Sequence, residues 1–293
     1  MCSFLKCVDV GWPHMKVKSS ETLAYILPYI LITTFQYRIA KDGLNYSSPL
    51  VLMAPRYLIA SAILFVISRK FKPIINKDMI ILSACTCGSV ILWAFGLEFV
   101  SPAESAVLSY SMPLFAIPLS MLILGEKTDG RGWCGAMTGF VGVMIYAIPL
   151  SRGNLTIFGG LLTLGNAVCW AAYTVYYRKI RSQDRMMTIA TQLLLVGVFL
   201  LLGVPMNYKL EYSTNLVFDM IYLSVLSGVA QFYLWNGLAR IHKISKMATL
   251  IYLVPVAATI VDFVETRLFP SFLSIVGMCV MILGIYLSRS VEN

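Results

Sequence analysis

Hydrophobic and polar positions in this chain separate by whole segments. Apolar runs of about 20 residues, the length that crosses a bilayer as a helix, follow one another with brief polar interruptions. Ten can be delimited: Thr22–Ala40, Pro49–Ser68, Met79–Phe99, Ala103–Leu124, Gly132–Leu150, Ile157–Tyr177, Thr188–Met206, Leu216–Ala239, Met247–Val264 and Phe269–Leu287. Each is continuously apolar and lacks the period of two that a barrel strand needs, so transmembrane helices are predicted. The joints are short and leave no room for an appended soluble domain. The pattern therefore predicts an all-α integral membrane protein of ten transmembrane helices.

Composition agrees. The 293 residues are 58% hydrophobic and 13% charged, against about 25% charged in a soluble domain, and mean hydropathy is +0.78. The net charge of +9 could mark a nucleic-acid binder, but its distribution follows topology. Seventeen of the 23 Lys and Arg share the side of the N-terminus; five (Arg38, Lys41, Arg152, Lys209 and Arg267) share the other, and Arg56 lies within the second run. This positive-inside bias predicts a multi-pass protein of the cytoplasmic membrane with both termini in the cytoplasm. No nucleic-acid partner is expected. The first apolar run starts too late for a signal peptide. Residues 1–20 read as a cytoplasmic segment, and residues 1–14 as optional, because MKVKSSETL from Met15 is a natural start.

The seven cysteines carry no pattern of their own. Cys85 and Cys87 are two apart on a helix and point to different faces, while Cys2 and Cys7 lack a lipoprotein signal. No disulfide, metal or cofactor is expected.

Pro113, Gly135 and Gly142 recur 142 residues later as Pro255, Gly277 and Gly284, within matching segments such as MPLFAIPLSM and VPVAATIVDF. The chain thus reads as two five-helix copies, residues 21–150 and 151–290. Five is odd, so the second copy enters the membrane from the opposite side. Inverted repeats of this kind build many secondary transporters, because two similar halves can exchange conformations between inward- and outward-open states.

PLFAIPLSMLILGEK with GAMTGFVGVMIYA, PRYLIASAILF in the second run and GGLLTLGNAVCWAAYTVYYRK in the sixth resemble the EamA-type repeat of the drug/metabolite transporter superfamily. The resemblance covers nearly the whole chain. It implies ten helices, alternating access, and a central cavity lined mainly by spans 1, 3, 4, 6, 8 and 9. Members of the superfamily move amino acids, nucleotide-linked and other small metabolites, and drugs, often outward.

Polar side chains within spans tend to face a bundle interior or a water-filled cavity. Spacing places Tyr29, Thr33 and Gln36 on one face of span 1, and Thr86, Ser89 and Trp93 on one face of span 3. Span 6 offers Asn166, Trp170, Tyr173 and Tyr177; span 8 offers Ser224, Gly228, Gln231 and Trp235. Span 4 adds Ser105 and Ser109, and span 9 adds Tyr252, Val256 and Thr259. Substrate-binding candidates are therefore Tyr29, Thr33, Gln36, Thr86, Trp93, Ser109, Asn166, Trp170, Tyr173, Gln231 and Tyr252. Tyr177 and Trp235 read as interfacial belt residues; Arg56, in the outer third of the second run, reads as a snorkelling structural arginine, with pairing to an acid or an anionic substrate as the alternative. Pro113 and Pro255 are hinge candidates, since proline bends a helix whose neighbours re-satisfy its backbone. Spans 5 and 10 show no polar stripe and read as packing or lipid-facing helices.

Glu126 follows Gly125 at the end of the fourth run. Its counterpart in the second copy is Leu268, so an acid required by both halves is not indicated. It reads as a hydrated structural anchor facing the N-terminal dipole of span 5. Glu98, Glu104, Asp262 and Glu265 lie near outer span ends, where they are expected to stay hydrated, which leaves facilitated diffusion, exchange and coupling through an end-of-span acid as alternatives. An enzyme is not expected: the two histidines, His14 and His242, form no cluster with acids, and no phosphate loop occurs. The expected function is alternating-access transport, as an exporter, of a small metabolite such as an amino acid. A channel or scramblase, or a carrier of drugs or organic cations, is the alternative. Phosphorylated cargo is disfavoured because the proposed faces carry no Lys or Arg. Partners are the solute and the bilayer.

Overall fold

The computed structural model describes residues 19–149, 156–181, 183–267 and 269–288, with the backbone alone at 19, 262, 265 and 266. Residues 1–14 with Cys2, Cys7 and His14, the cation Arg152, the Glu126 counterpart Leu268, and the side chains of Asp262 and Glu265 thus lie outside what is described.

Among the described residues the chain is all helical. In chain order come α1 (Ser19–Tyr46), α2 (Pro49–Ser68), α3 (Lys77–Phe99), α4 (Pro102–Ser109), α5 (Met112–Leu124) and α6 (Gly130–Ala147). Then come α7 (Ile157–Lys179), α8 (Arg185–Gly203), α9 (Thr214–Ile221), α10 (Gln231–Ile241), α11 (Ile244–Thr249), α12 (Leu253–Thr266) and α13 (Phe272–Leu287). A π-helical stretch, Tyr222–Ala230, joins α9 to α10, and a short 3-10 turn, Leu250–Tyr252, joins α11 to α12. Side-chain caps start several helices: Asn76 accepts from the Met79 N–H, Asp129 from Gly132 and Asp184 from Met187.

Seven described stretches are long and apolar enough to cross a membrane: Pro49–Ser68, Lys77–Phe99, Pro102–Leu124, Ile157–Lys179, Arg185–Met206, Thr214–Ile241 and Ile244–Val261. All ten sequence runs became helix, yet three are weaker spans than their runs implied. Helix α1 carries Gln36, Arg38, Lys41 and Asp42; α6 is glycine-rich and holds Arg131; α13 has only 16 residues.

Two discontinuities occupy equivalent places. The fourth run breaks at Tyr110–Ser111, and α5 restarts with Pro113 in its first turn. The ninth run breaks at Leu250–Tyr252, and α12 restarts with Pro255 in its first turn. Proline cannot donate into the preceding turn, which explains both sites. Helix α5 ends on Gly125 at φ 65°, and α12 ends 142 residues later on Arg267 at φ 58°, both left-handed.

Helices α6 and α13 meet closely through glycine, backbone against backbone. A Cβ on Gly135 would lie 2.6 Å from the Gly284 carbonyl oxygen, and one on Gly142 would lie 2.8 Å from that of Gly277. The pairing is crossed: Gly135 meets Gly284, which lies 142 residues beyond Gly142, and Gly142 meets Gly277, which lies 142 beyond Gly135, so the helices run antiparallel.

Candidate substrate chamber

Two cavities share a wall. The larger, about 800 Å³, opens on the face opposite the start of α1, among the ends of α1, α3 and α4 and the wall of α12. Lys41 on its rim is already engaged, its Nζ donating to the Leu97 carbonyl at 2.5 Å and to those of Glu98 and Val100. Glu104, expected to be hydrated, is instead buried in a capping box with Ser101, because it satisfies the backbone at the start of α4.

Deeper, on the side of the α1 N-terminus, lies a chamber of about 60 Å³. Tyr37 belongs to both cavities. Eight of the sequence candidates meet here: Tyr29, Thr33 and Gln36 from α1, Trp93 from α3, Ser109 from α4, Asn166 and Trp170 from α7, and Gln231 from α10. Two polar chains run through the walls. Ser89 donates to Asn166 Oδ1 at 2.6 Å, and Asn166 Nδ2 donates to Ser109 at 3.0 Å. On the other side, Ser227 Oγ donates to Gln231 Oε1 at 2.6 Å, and Gln231 Nε2 donates to Thr33 at 3.1 Å.

Arg56 corrects the expectation most. It does not snorkel: the side chain is 1% exposed and lines the chamber, so the polar face does carry a cation. Its Nε donates to the Leu223 carbonyl at 3.1 Å, and Nη2 to Ser227 Oγ at 2.7 Å and the Ser227 carbonyl at 3.4 Å. Among the described residues Nη1 reaches only the Met53 sulfur, at 3.3 Å. Both carbonyls belong to the π-helical stretch, whose widened turns are common at functional sites. The guanidinium also sits 5.0 Å from the Tyr57 ring and 5.8 Å from Trp93. Helix α2 thus joins the chamber wall, with Arg56 and Tyr57. The same π stretch displaces the stripe read at regular α spacing: Ser224 lines a separate apolar cleft with Ile59 and Leu216.

Three candidates lie elsewhere. Thr86 receives a hydrogen bond from Gln192 Nε2 at 2.7 Å, between α3 and α8. Tyr252 donates to the Ala136 carbonyl at 2.9 Å and fills the space left by Gly139, so it packs the second break against α6. Tyr173 donates to Asn236 at 2.6 Å in an aromatic plug beneath the chamber. Trp235 and Tyr177, read as belt residues, are fully buried in that plug. Trp235 stacks on Tyr29 at 4.9 Å between centroids and donates to Thr174, and Tyr177 accepts from Arg240. Their position near a span end predicts a belt only when the end faces lipid.

Below the plug, Glu126 anchors three elements. It is ion-paired with Arg178 at the end of α7, and its second oxygen accepts the Ile244 N–H at 2.9 Å, at the start of α11. Arg178 further donates to the carbonyls of Ala239 and His242. The dipole expected from span 5 is not its partner, since Asp129 caps that helix; the carboxylate meets a helix distant in sequence.

His242 is buried beside this anchor, its Nε2 2.7 Å from Thr22 Oγ1. Burial, then the charges of Lys246 and Arg178, lower its pKa from 6.5 to about 4. The unfolded chain therefore takes up a proton near pH 6.5 that the folded chain refuses until about pH 4. Stability should be flat above that window, fall as pH drops through it, and level out below. Thermal unfolding across this range should show that loss, and His242→Asn should remove its share of the slope; an unchanged slope would refute the assignment.

A bundle of apolar helices around a polar, aromatic-walled chamber, with an open vestibule on one side and a packed aromatic plug on the other, defines a multi-pass membrane transporter. The sequence profile of the EamA-like transporter family matches residues 22–148 and again 157–290. The chain belongs to the EamA-like transporter family. An uncharacterized transporter of Acidianus ambivalens is 42% identical over 238 residues, 81% of this chain and 92% of that one. A riboflavin transporter of Vibrio cholerae is 32% identical over 144 residues, about half of each chain (48% and 47%). One solved crystal structure shares the fold with a TM-score of 0.79 at 18% identity, over 93% of this chain and 98% of the other.

Proposed function

We propose that the chain is a ten-span carrier made of two inverted repeats, 21–150 and 151–290, which exports an amino acid or related small metabolite across the cytoplasmic membrane by alternating access. Both termini lie in the cytoplasm, as the charge bias requires. The carrying observation is the asymmetry of the chamber: an 800 Å³ vestibule on one side, and an aromatic plug locked by Glu126 and Arg178 on the other. A carrier held in one of two states has this form. The reciprocal glycine contacts between α6 and α13 support the inversion, because a two-fold axis in the membrane plane generates them. The paired helix breaks and the paired left-handed ends at Gly125 and Arg267 support it further. The name of the Vibrio cholerae relative adds a planar heteroaromatic compound to the cargo classes that an aromatic wall would accept.

Reconstitution tests this reading. Uptake into proteoliposomes should saturate and be accelerated by solute on the far side, whereas linear, unstimulated flux would make the protein a channel. Pro113 and Pro255 serve as hinges in the proposed exchange. Replacing both with alanine should slow counterflow about tenfold, the effect of ~1.4 kcal/mol on a barrier; undiminished counterflow would rule the hinges out.

A further inference from the structure

We propose that Arg56 is the binding site for a carboxylate on the transported solute, an assignment that rests on the carrier reading. The guanidinium is buried within the membrane bundle, yet every hydrogen bond it makes among the described residues goes to a neutral group: two carbonyls, one hydroxyl and one thioether. A buried cation without a counter-charge is costly. An arginine has five N–H donors in a planar fork that matches a carboxylate. Here three are held by oxygen, a fourth, on Nη1, faces sulfur, a weak acceptor, and the fifth, also on Nη1, has no partner among the described residues, so Nη1 has one N–H open to an anion and another held only by sulfur.

A second donor points to the same ligand. Trp93 is 5% exposed, lines the chamber, and its indole N–H has no partner among the described residues. Its ring already lies against Arg56. Size supports an anionic head group: a chamber of about 60 Å³ is far below the roughly 300–1,000 Å³ of a complete small-molecule site. The carboxylate occupies the chamber, and the body of the solute extends past Tyr37 into the vestibule, which is large enough to hold it.

The test uses full-length protein in detergent and matched pairs of small acids and their primary amides: benzoate with benzamide, indole-3-acetate with indole-3-acetamide, and lactate with lactamide. Binding is read from thermal unfolding. At least one acid should bind about tenfold or more tightly than its amide, as a charge-assisted hydrogen bond outweighs a neutral one. Arg56→Gln should erase that preference. Trp93→Phe, which keeps the ring and removes the donor, should reduce it and serves as the deciding variant if Arg56→Gln does not fold. Equal binding of acid and amide, no binding of any acid, or a preference that survives both substitutions overturns the proposal. Counterflow of an amide by wild-type proteoliposomes would remove the anion site and leave the carrier standing. An acid that binds through Arg56 but shows no trans-stimulation would do the reverse.

Discussion

Glu126→Gln is expected to unlock the face of the protein that carries the start of α1. The carboxylate joins the α5–α6 loop, the end of α7 and the start of α11 through one ion pair and one backbone hydrogen bond. The Arg178 and Glu126 side chains are only 11% and 14% exposed, so the pair is not the weak surface type. Removing one partner strands the other charge, at a cost of about 3 kcal/mol. If the lock belongs to one of two states, that energy shifts their ratio by about a hundredfold. A cysteine placed at Ala171, fully buried beside the plug, should change in a cysteine-free background from unreactive to labelled by a water-soluble maleimide. The double variant Glu126→Gln, Arg178→Gln should lose less than the two single losses combined, because no charge is left alone. Unchanged labelling in the single variant would show that the pair locks nothing.

Gly284→Leu should be the most damaging single substitution in the seam between α6 and α13. A Cβ at Gly284 would stand 2.4 Å from the Gly139 amide nitrogen and 2.7 Å from the Gly135 carbonyl oxygen. These are backbone atoms and cannot swing aside, so the helices must separate, exposing a face fitted to glycine. Close approach through small residues is what holds membrane helices together without a hydrophobic drive. Overpacking by a single methyl costs about 1–3 kcal/mol; leucine should exceed that and abolish the monodisperse species on size-exclusion chromatography. Gly142→Leu, at the counterpart position and 2.6 Å from the Met281 backbone, should match it. Gly130→Ala meets nothing within 4 Å and should stay within about 0.5 kcal/mol. Similar behaviour of Gly284→Leu and Gly130→Ala would dismiss the seam.

Much of the chamber was legible where helices are regular. Tyr29, Thr33 and Gln36, or Asn166 and Trp170, share a face because a straight α-helix repeats every 3.6 residues, and those faces did converge. Periodicity selects a face but not a depth, which is why Thr86, Tyr173 and Tyr252 were grouped with residues whose stripes they continue. Spacing also fails across a π segment, where Ser224 is buried away from the chamber, beside a separate apolar cleft. Gln192 was missed: as an amide inside the seventh apolar run it carried the same signal of an inward-facing polar group, but its partner, Thr86, is 106 residues away and no local pattern pairs the two.

Hydropathy, proline and glycine positions and the 142-residue recurrence are written locally or by self-comparison, and from them the sequence alone determined a helical membrane protein and marked Pro113 and Pro255, beside which two helices break. Only the tertiary structure decided that Arg56 lines a chamber instead of reaching for the interface, and that Glu126 meets Arg178 and Ile244. The reason is physical. A charged side chain's environment is set by whichever helices pack around it, and those helices lie far along the chain, beyond the range of any local pattern.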